Sequence, residues 1–553
     1  MTSPVEQFIN EASSASIVNI FVKEGKYYAK RSKGEISYNQ EISDFTIEAV
    51  ASHHRDDGIY REIIFVKGNH KSRKFLIPPS DMFDRFAVFC ATCGDYSWLG
   101  SPTDAKNLWR YQFIKSPGKV IFEPECIGWQ EDKKIFMFEN IAFKASEEIR
   151  PDTSGTFWLD GTGIKPRSIS ASKSEVAEGL PSIITNRQLD LQELRAKLHK
   201  SMSPTGADVC LGWAVSVFYM EEVFEKYGAF PFLFLTGKRR SGKSTIAEWI
   251  TNLFGFESAG RMWSDTTAVA MSRYLGYYSS LPLWLDEYRN DSKYASKTGM
   301  LRNVYNRQSS GKGTRDGFTI REAKIRGTVI ITGEETPDDN ALMTRCVIVQ
   351  ITERDRQANN FNWFTDNRRL LSNFAYQVMS TKHKHIEKFM QDLEANKQAL
   401  SNSLDDRMAI NQAVIATGFS LLFGDDLIFA NSLHEKAITD SESQEEESAV
   451  SVFFNDISAM AFRKDITDAY WMEKEGYLYI YFHGLYNEWA YDYRKRKGEP
   501  PFKLQSIRSY LAEEPGFVTM SINNRMSDGS QKTCVKFNVS EIREYISKLV
   551  NRA

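Results

Sequence analysis

Apolar runs of strand length alternate with apolar positions at helical spacing along most of the 553 residues. From residue 1 to about 190, "ASIVNIFV", "YREIIFVK", "RKFLIP" and "KIFMFENIAF" predict strands rich in β-branched and aromatic side chains. One helix is predicted among them over "SDMFDRFAVFCATCG", with Met82, Phe86, Phe89 and Cys90 inward and Gly94 at its end. This is an α+β N-terminal region. "RQLDLQELRAKLHKSM" reads as a helix or linker into residues 195–353, where "FPFLFLT", "LPLWLDEY", "TVIIT" and "CVIVQI" predict buried strands separated by helical stretches. That order predicts an α/β domain. Residues 354–437 carry helical spacing, as in "HKHIEKFMQDLEANKQAL", and predict a helical lid or connector. Five acids between Asp440 and Glu447 then mark 438–448 as an exposed linker before a last domain, 449–553.

Composition narrows the class. A 42% hydrophobic and 26% charged chain of this length has room for three or four ordinary globular domains. The net charge of −2 gives no global field for nucleic acid, so any such binding must use local patches. No apolar run approaches the length of a membrane span, and "MTSPVEQFINEASSAS" lacks a signal pattern. Six cysteines do not suggest a disulfide framework, so the expected location is cytoplasmic, with no membrane partner. Cys90 and Cys93 have metal-ligand spacing and Cys126 follows, but no second CxxC completes a zinc site. Small buried thiols on a helix explain them more cheaply.

The chemistry concentrates in "FPFLFLTGKRRSGKSTIAEW". Gly237, four residues, then Gly242, Lys243 and Ser244 match the phosphate-binding pattern GxxxxGK[ST], between a predicted strand and a predicted helix. Glycines let backbone N–H groups curl around phosphates, and the helix N-terminus adds its positive end. Gly237, Lys238, Arg239, Arg240, Ser241, Gly242, Lys243, Ser244 and Thr245 would hold ATP, with Lys243 on the β- and γ-phosphates and Ser244 on Mg²⁺. An apolar strand delivers Asp286 and Glu287 43 residues after Lys243, like a Walker B element. Asp286 would hold the Mg²⁺ through water and Glu287 would polarise the attacking water. A second acid there favours hydrolysis over phosphoryl transfer to a small substrate.

From about 205 to 352 the chain resembles the AAA+ core of primase-associated and superfamily 3-like helicases of phages, plasmids and genomic islands, close to the minichromosome-maintenance branch. The residues that carry the resemblance are the P-loop at Gly237–Thr245, the pair Asp286–Glu287, the strand ending in "TGE", and Arg345 in "ALMTR". The resemblance implies a parallel sheet flanked by helices, ATP and Mg²⁺ as cofactors, and a homo-hexameric ring. It places Thr332 and Glu334 at the polar sensor, where the family's usual residue is Asn, and Arg345 as a finger reaching a neighbour's ATP. A solvated arginine before a strand is the alternative for Arg345.

Two basic stretches remain. From Arg302 to Arg326 there are seven basic residues and two acids. In ring helicases of this branch a β-hairpin before the sensor strand contacts single-stranded DNA, which points to Lys312 and Arg315 at its tip, with Lys324 and Arg326 behind them. An ordinary exposed loop is the alternative. In 449–553, helix, Gly-Pro break, helix and two strands around Asp528-Gly529 follow the winged-helix order. Six basic residues against one acid between Arg494 and Arg508 make Lys503 and Arg508 candidate DNA contacts, unless this module docks protein. Together these readings predict an ATP-dependent, ring-forming DNA helicase or replication initiator of a mobile element. Its expected partners are single-stranded and forked DNA, and host or element replication proteins. The competing prediction is an AAA+ nucleic-acid sensor, defence component or origin-binding switch that does not unwind.

Overall fold

The computed structural model describes residues 19–115, 118–145, 147–168, 179–257, 259–308, 311–313, 320–322, 324–352, 358–435, 449–497 and 502–550. The chain divides into two compact units, Met1–Leu433 and His434–Ala553.

The first unit begins with antiparallel strands. Ile20–Lys23, Lys26–Lys33 and Ile36–Glu41 form one sheet, and a six-stranded sheet is built around Thr46–Arg55 and Gly58–Lys67. The single helix expected from Ser80 to Gly94 is instead a 3₁₀ turn at Pro79–Asp81 followed by a helix at Phe86–Cys93. Met82, Phe86 and Cys90 are nevertheless buried in one cluster, because a turn and a helix both satisfy a four-residue apolar spacing. Burial pushes the Cys90 thiol pKa up. A second antiparallel set, Ile127–Gln130 to Glu147–Ile149, buries Ile127, Ile135, Phe136 and Phe143 in the cluster that also contains the P-loop strand. Tyr278–Ser279 extends that set as a parallel strand. The contact is close enough to require Gly128, where a Cβ would lie 1.9 Å from the Ser279 carbonyl oxygen.

The central sheet has five strands, all parallel. They are β1 (Phe232–Thr236), β2 (Arg261–Met262), β3 (Pro282–Tyr288), β6 (Thr328–Gly333) and β7 (Cys346–Gln350), in the order β7-β1-β6-β3-β2. Between β3 and β6 the short strands β4 (Gly311–Gly313) and β5 (Ile320–Glu322) pair as an antiparallel hairpin. Near-continuous apolar runs make β1 and β6 buried on both faces, as strands covered by helices on both sides must be. Helices α1 (Pro204–Val217), α2 (Met220–Tyr227), α3 (Lys243–Asn252), α4 (Ala268–Tyr277), α5 (Ala295–Val304) and α6 (Asn340–Met343) lie along this segment. This is the mixed α/β core with a parallel sheet that the strand pattern predicts.

After β7 come α7 (Asn373–Leu400) and α8 (Asp406–Phe423). Helix α8 approaches α1 backbone to backbone where Gly212 and Gly418 meet. A Cβ on Gly212 would lie 2.4 Å from the Ile415 carbonyl oxygen, and one on Gly418 2.2 Å from that of Gly212. Asn411 ties α8 to the ends of α5 and α6 by accepting from Tyr305 at 2.8 Å and donating to the Thr344 carbonyl at 3.0 Å.

The second unit has its own core. An antiparallel sheet of β8 (Trp471–Lys474), β9 (Tyr477–Ile480), β10 (Phe517–Arg525) and β11 (Gln531–Asn538) runs in the order β8-β9-β11-β10. Helices α9 (Ala449–Phe462), α10 (Phe482–Lys497), α11 (Leu504–Leu511) and α12 (Glu544–Val550) accompany it. Trp489, Leu485, Ile507 and Ile546 from the helices meet Leu478, Ile480, Val535 and Phe537 from the sheet. The β10–β11 turn contains Gly529 at φ 79°, which suits the Asp528-Gly529 hairpin signal. No helix among the described residues is long and apolar enough to cross a membrane.

Candidate nucleotide site

The P-loop lies between β1 and α3, and its backbone is bent as a phosphate cradle must be. Gly242 has φ 96° and Arg240 φ 67°, the left-handed turns by which successive N–H groups can share one concavity at the start of α3. Gly237 has no room for a side chain, since a Cβ would approach the Ile351 carbonyl oxygen to 2.4 Å. The loop is stitched to the sheet by Gly237 N–H donating to the Gly333 carbonyl at 3.2 Å, and it closes on itself through Ser241 N–H to the Lys238 carbonyl at 3.1 Å. Lys238, Arg239 and Arg240 are exposed, whereas Ser241 and Lys243 are buried and Thr245 is half-buried. Lys243 Nζ reaches the Lys238 carbonyl at a long 3.5 Å. Ser241 Oγ is buried with no hydrogen-bond partner. A buried ammonium and an unsatisfied hydroxyl inside a nest of N–H groups match what a polyphosphate would supply.

Asp286 collects the neighbouring side chains. Its Oδ1 accepts from Ser244 Oγ at 3.1 Å, from the Glu287 N–H at 3.0 Å, and from Thr332 Oγ1. Thr332 in turn accepts from Trp284 Nε1 at 3.2 Å. These residues meet because β6 separates β1 from β3, placing the end of the Thr332 strand beside both the P-loop and the acidic strand. A hydroxyl and a carboxylate at hydrogen-bond distance are hard oxygen donors of the kind Mg²⁺ takes, so Ser244 and Asp286 fit that ion.

Asp286 and Glu287 face different ways. The register of β3 against β6 shifts between Leu285 and Tyr288, and Glu287 has φ 59°. This irregularity keeps Asp286 over the sheet and throws Glu287 into solvent, where it pairs with Arg289 at 3.3 Å. A left-handed glutamate is an uncommon, strained conformation for a side chain of this length. Glu334 is exposed, and its carbonyl receives Thr236 Oγ1 at 3.5 Å.

The structure does not bring Arg345 to this cluster. Its guanidinium is half-buried, donates to the Arg302 carbonyl at 3.2 Å and to that of Ala341, and lies 5.4 Å from the Tyr305 ring centroid. Burial and the neighbouring Arg407 charge lower its pKa. In the basic stretch, Lys312 is on β4, Lys324 is exposed, and Arg315 lies outside the described residues. Arg326 is turned into the fold, donating to the Gly276 carbonyl at 2.9 Å and to Glu125 at 3.1 Å. Lys503 precedes α11 and Arg508 is on its last turn, both exposed.

Two contributors escape a motif reading. Trp284, two residues before Asp286 and thus on the same face of β3, holds Thr332; the period of two was the available signal. Arg307 grips the half-buried Glu221 at 2.7 and 2.6 Å and also donates to the Arg326 carbonyl at 2.9 Å, fixing both ends of the hairpin segment. Nothing in the sequence points to that pairing across 86 residues.

No family model matches the chain, and no curated protein matches it. Among solved structures it is similar to one described as "SCCmec type IV Cch - active helicase", at 15% identity and a TM-score of 0.55, over 97% of this chain and 99% of that one. A second, described as the apo C-terminal region of NrS-1, aligns at 11% identity and a TM-score of 0.30, over 71% of this chain and 84% of that one. The first likeness shows a shared fold over nearly the whole length.

Proposed function

We propose that the chain is an ATP-hydrolysing, ring-forming DNA helicase or replication initiator of a mobile element that moves on single-stranded DNA. The observation that carries this reading is the convergence of Ser244, Asp286 and Thr332 beside the P-loop, on a parallel sheet with a strand between β1 and β3. The end-to-end fold likeness to a protein described as an active helicase supports it. In this reading the P-loop and Lys243 bind the phosphates, and Ser244 and Asp286 hold Mg²⁺. Glu287, already aimed away from the sheet, orients water. ATP bound there supplies the phosphoanhydride whose hydrolysis drives movement. Arg345 serves a neighbouring subunit, and the β4–β5 hairpin carrying Lys312 and Arg315 contacts the single strand. Residues 449–553 act as a winged-helix-like module that touches duplex DNA through Lys503 and Arg508.

The test is displacement of a labelled strand from forked DNA, run with Glu287→Gln beside the wild type. We expect ATP-dependent displacement by the wild type, and nucleotide binding without turnover or displacement by the variant. Robust hydrolysis with no displacement on forks of either polarity would refute the helicase reading and leave an ATPase switch.

A further inference from the structure

We propose that the outer face of the four-stranded sheet in the second unit is a binding site for single-stranded nucleic acid, with unpaired bases stacking on Tyr477, Tyr479 and Tyr481. This site does not depend on the ATPase core being a motor, and it is separate from the duplex contact proposed for Lys503 and Arg508.

The two faces of the sheet differ in kind. Leu478, Ile480, Val535 and Phe537 point into the core with the helices. Alternation therefore turns Tyr477 and Tyr479 to the opposite face, where their cross-strand neighbours are Asn538 and Lys536. A solvated sheet face is ordinarily polar, yet here three tyrosines follow one another at every second residue, all partly exposed. Lysines hover over them. Lys536 Nζ is 3.6 Å from the Tyr477 ring centroid and 5.5 Å from that of Tyr479, and Lys532 Nζ is 5.0 Å from that of Tyr481.

One of the three rings, Tyr481, is also held in place. Tyr481 is pressed onto α10 at Gly484, where a Cβ would lie 2.2 Å from the ring. Tyr470 lies parallel to it within 1°, centroids 6.3 Å apart, and is anchored by donating to Glu488 at 2.9 Å. A ring fixed in advance loses little freedom on binding, which favours stacking at Tyr481. The chemistry of the occupant follows. Flat π-surfaces recognise the faces of bases, which a duplex hides and a single strand offers. The lysine ammonium groups, resting on ring faces in the free protein, are placed to swing onto a phosphate backbone. Alternate residues of a strand are about 6.6 Å apart, wider than the roughly 3.4 Å rise of a stacked strand. Bases would therefore be splayed, one to a tyrosine. The nearby carboxylate of Glu475 is offset by Lys474 at 3.8 Å.

The experiment uses the full chain carrying Lys312→Ala and Arg315→Ala, so that the hairpin does not contribute. Fluorescence anisotropy with oligo(dT), oligo(U) and a duplex of equal length is compared for Tyr477→Ala/Tyr479→Ala and Tyr477→Phe/Tyr479→Phe. We expect the alanine pair to weaken single-strand binding roughly tenfold or more per ring, the phenylalanine pair to retain it, and duplex binding to be unchanged. The two oligomers distinguish DNA from RNA as the source of the strand. Equal affinity in the alanine pair, equal loss in both pairs, or parallel loss of duplex binding would each overturn the proposal. Should the alanine pair unfold, photo-crosslinking of the folded chain to iodouracil-substituted strands decides. Adducts on Tyr477, Tyr479 or Tyr481 support the site, and adducts confined to other peptides overturn it.

Discussion

At the scale of single residues, the candidate site is a chain of donors ending on one carboxylate oxygen. Trp284 donates to Thr332, Thr332 to Asp286, and Ser244 to the same oxygen of Asp286. A metal-ligating carboxylate that is held by hydrogen bonds presents its remaining lone pairs in one direction, and loss of such an outer partner weakens metal use. Thr332 is completely buried, so Thr332→Val changes its chemistry with little change of shape. We expect that substitution to raise the Mg²⁺ concentration needed for half-maximal ATP hydrolysis about 10- to 100-fold, and Thr332→Ser to restore most of the loss. A magnesium titration of steady-state hydrolysis reads this directly. An unchanged midpoint in the valine variant would make Thr332 a packing residue.

At the scale of elements, legibility followed burial. Strands β1, β3 and β6 could be read because a parallel strand covered on both faces must be a continuous apolar run, and the P-loop because its glycines admit few other roles. The irregularity at Asp286–Glu287 could not be read, since the sequence shows an acidic pair and not which way each acid faces. Arg326 illustrates the same limit: counting charges gives the sign of a stretch, but its guanidinium is spent on Gly276 and Glu125. Pairings between distant strands were also hidden, because apolar alternation says nothing of partners. One such pairing joins Thr46–Arg55 to Lys119–Phe122 and places His53 and Arg55 on Glu123 at 2.6 and 2.5 Å. Burial pushes the Glu123 carboxyl pKa up, but the hydrogen bonds from His53 and Arg55 outweigh it and hold the group at about 2, against an ordinary 4.5. A carboxyl lowered in the folded state stabilises it above the ordinary pKa, and that contribution drains away as pH falls from 4.5 toward 2. Glu123→Gln should therefore cost about 3 kcal/mol at neutral pH. The gap from wild type should narrow steadily on acidification below pH 4.5. Urea unfolding followed from pH 7 downward tests this, and a gap independent of pH would show that packing, not ionisation, sets the cost.

At the scale of the whole molecule, the proposed ring would bring an arginine of a second chain to the site. Ser244, Thr332 and Asp286 converge beside the P-loop, and Arg345 stays apart from them, folded back onto the Arg302 and Ala341 carbonyls. Its position is electrostatically poor. Burial and Arg407 both work against its charge, although Asp339 and the Tyr305 ring offset part of this. A guanidinium held so has more to gain from a polyphosphate than one already paired in solvent, where charge-assisted bonds are weakened by water. In a ring, that polyphosphate would belong to the next subunit. Arg345→Ala should then lower hydrolysis by several powers of ten while leaving nucleotide binding nearly intact, since such fingers act on the transferring phosphoryl group. Mixed with Lys243→Ala, it should regain activity. Each Arg345→Ala subunit retains a sound P-loop, each Lys243→Ala subunit retains a sound arginine, and an interface that joins the two supplies one complete site. Random mixing makes such interfaces most frequent near equal proportions, so the recovered rate should peak there and vanish at either end. Hydrolysis measured across mixing ratios, with assembly followed by sedimentation, separates the cases. A flat baseline from mixed particles that do assemble would place Arg345 in the service of its own subunit. Recovery of hydrolysis without recovery of fork displacement would favour an assembly switch over a motor.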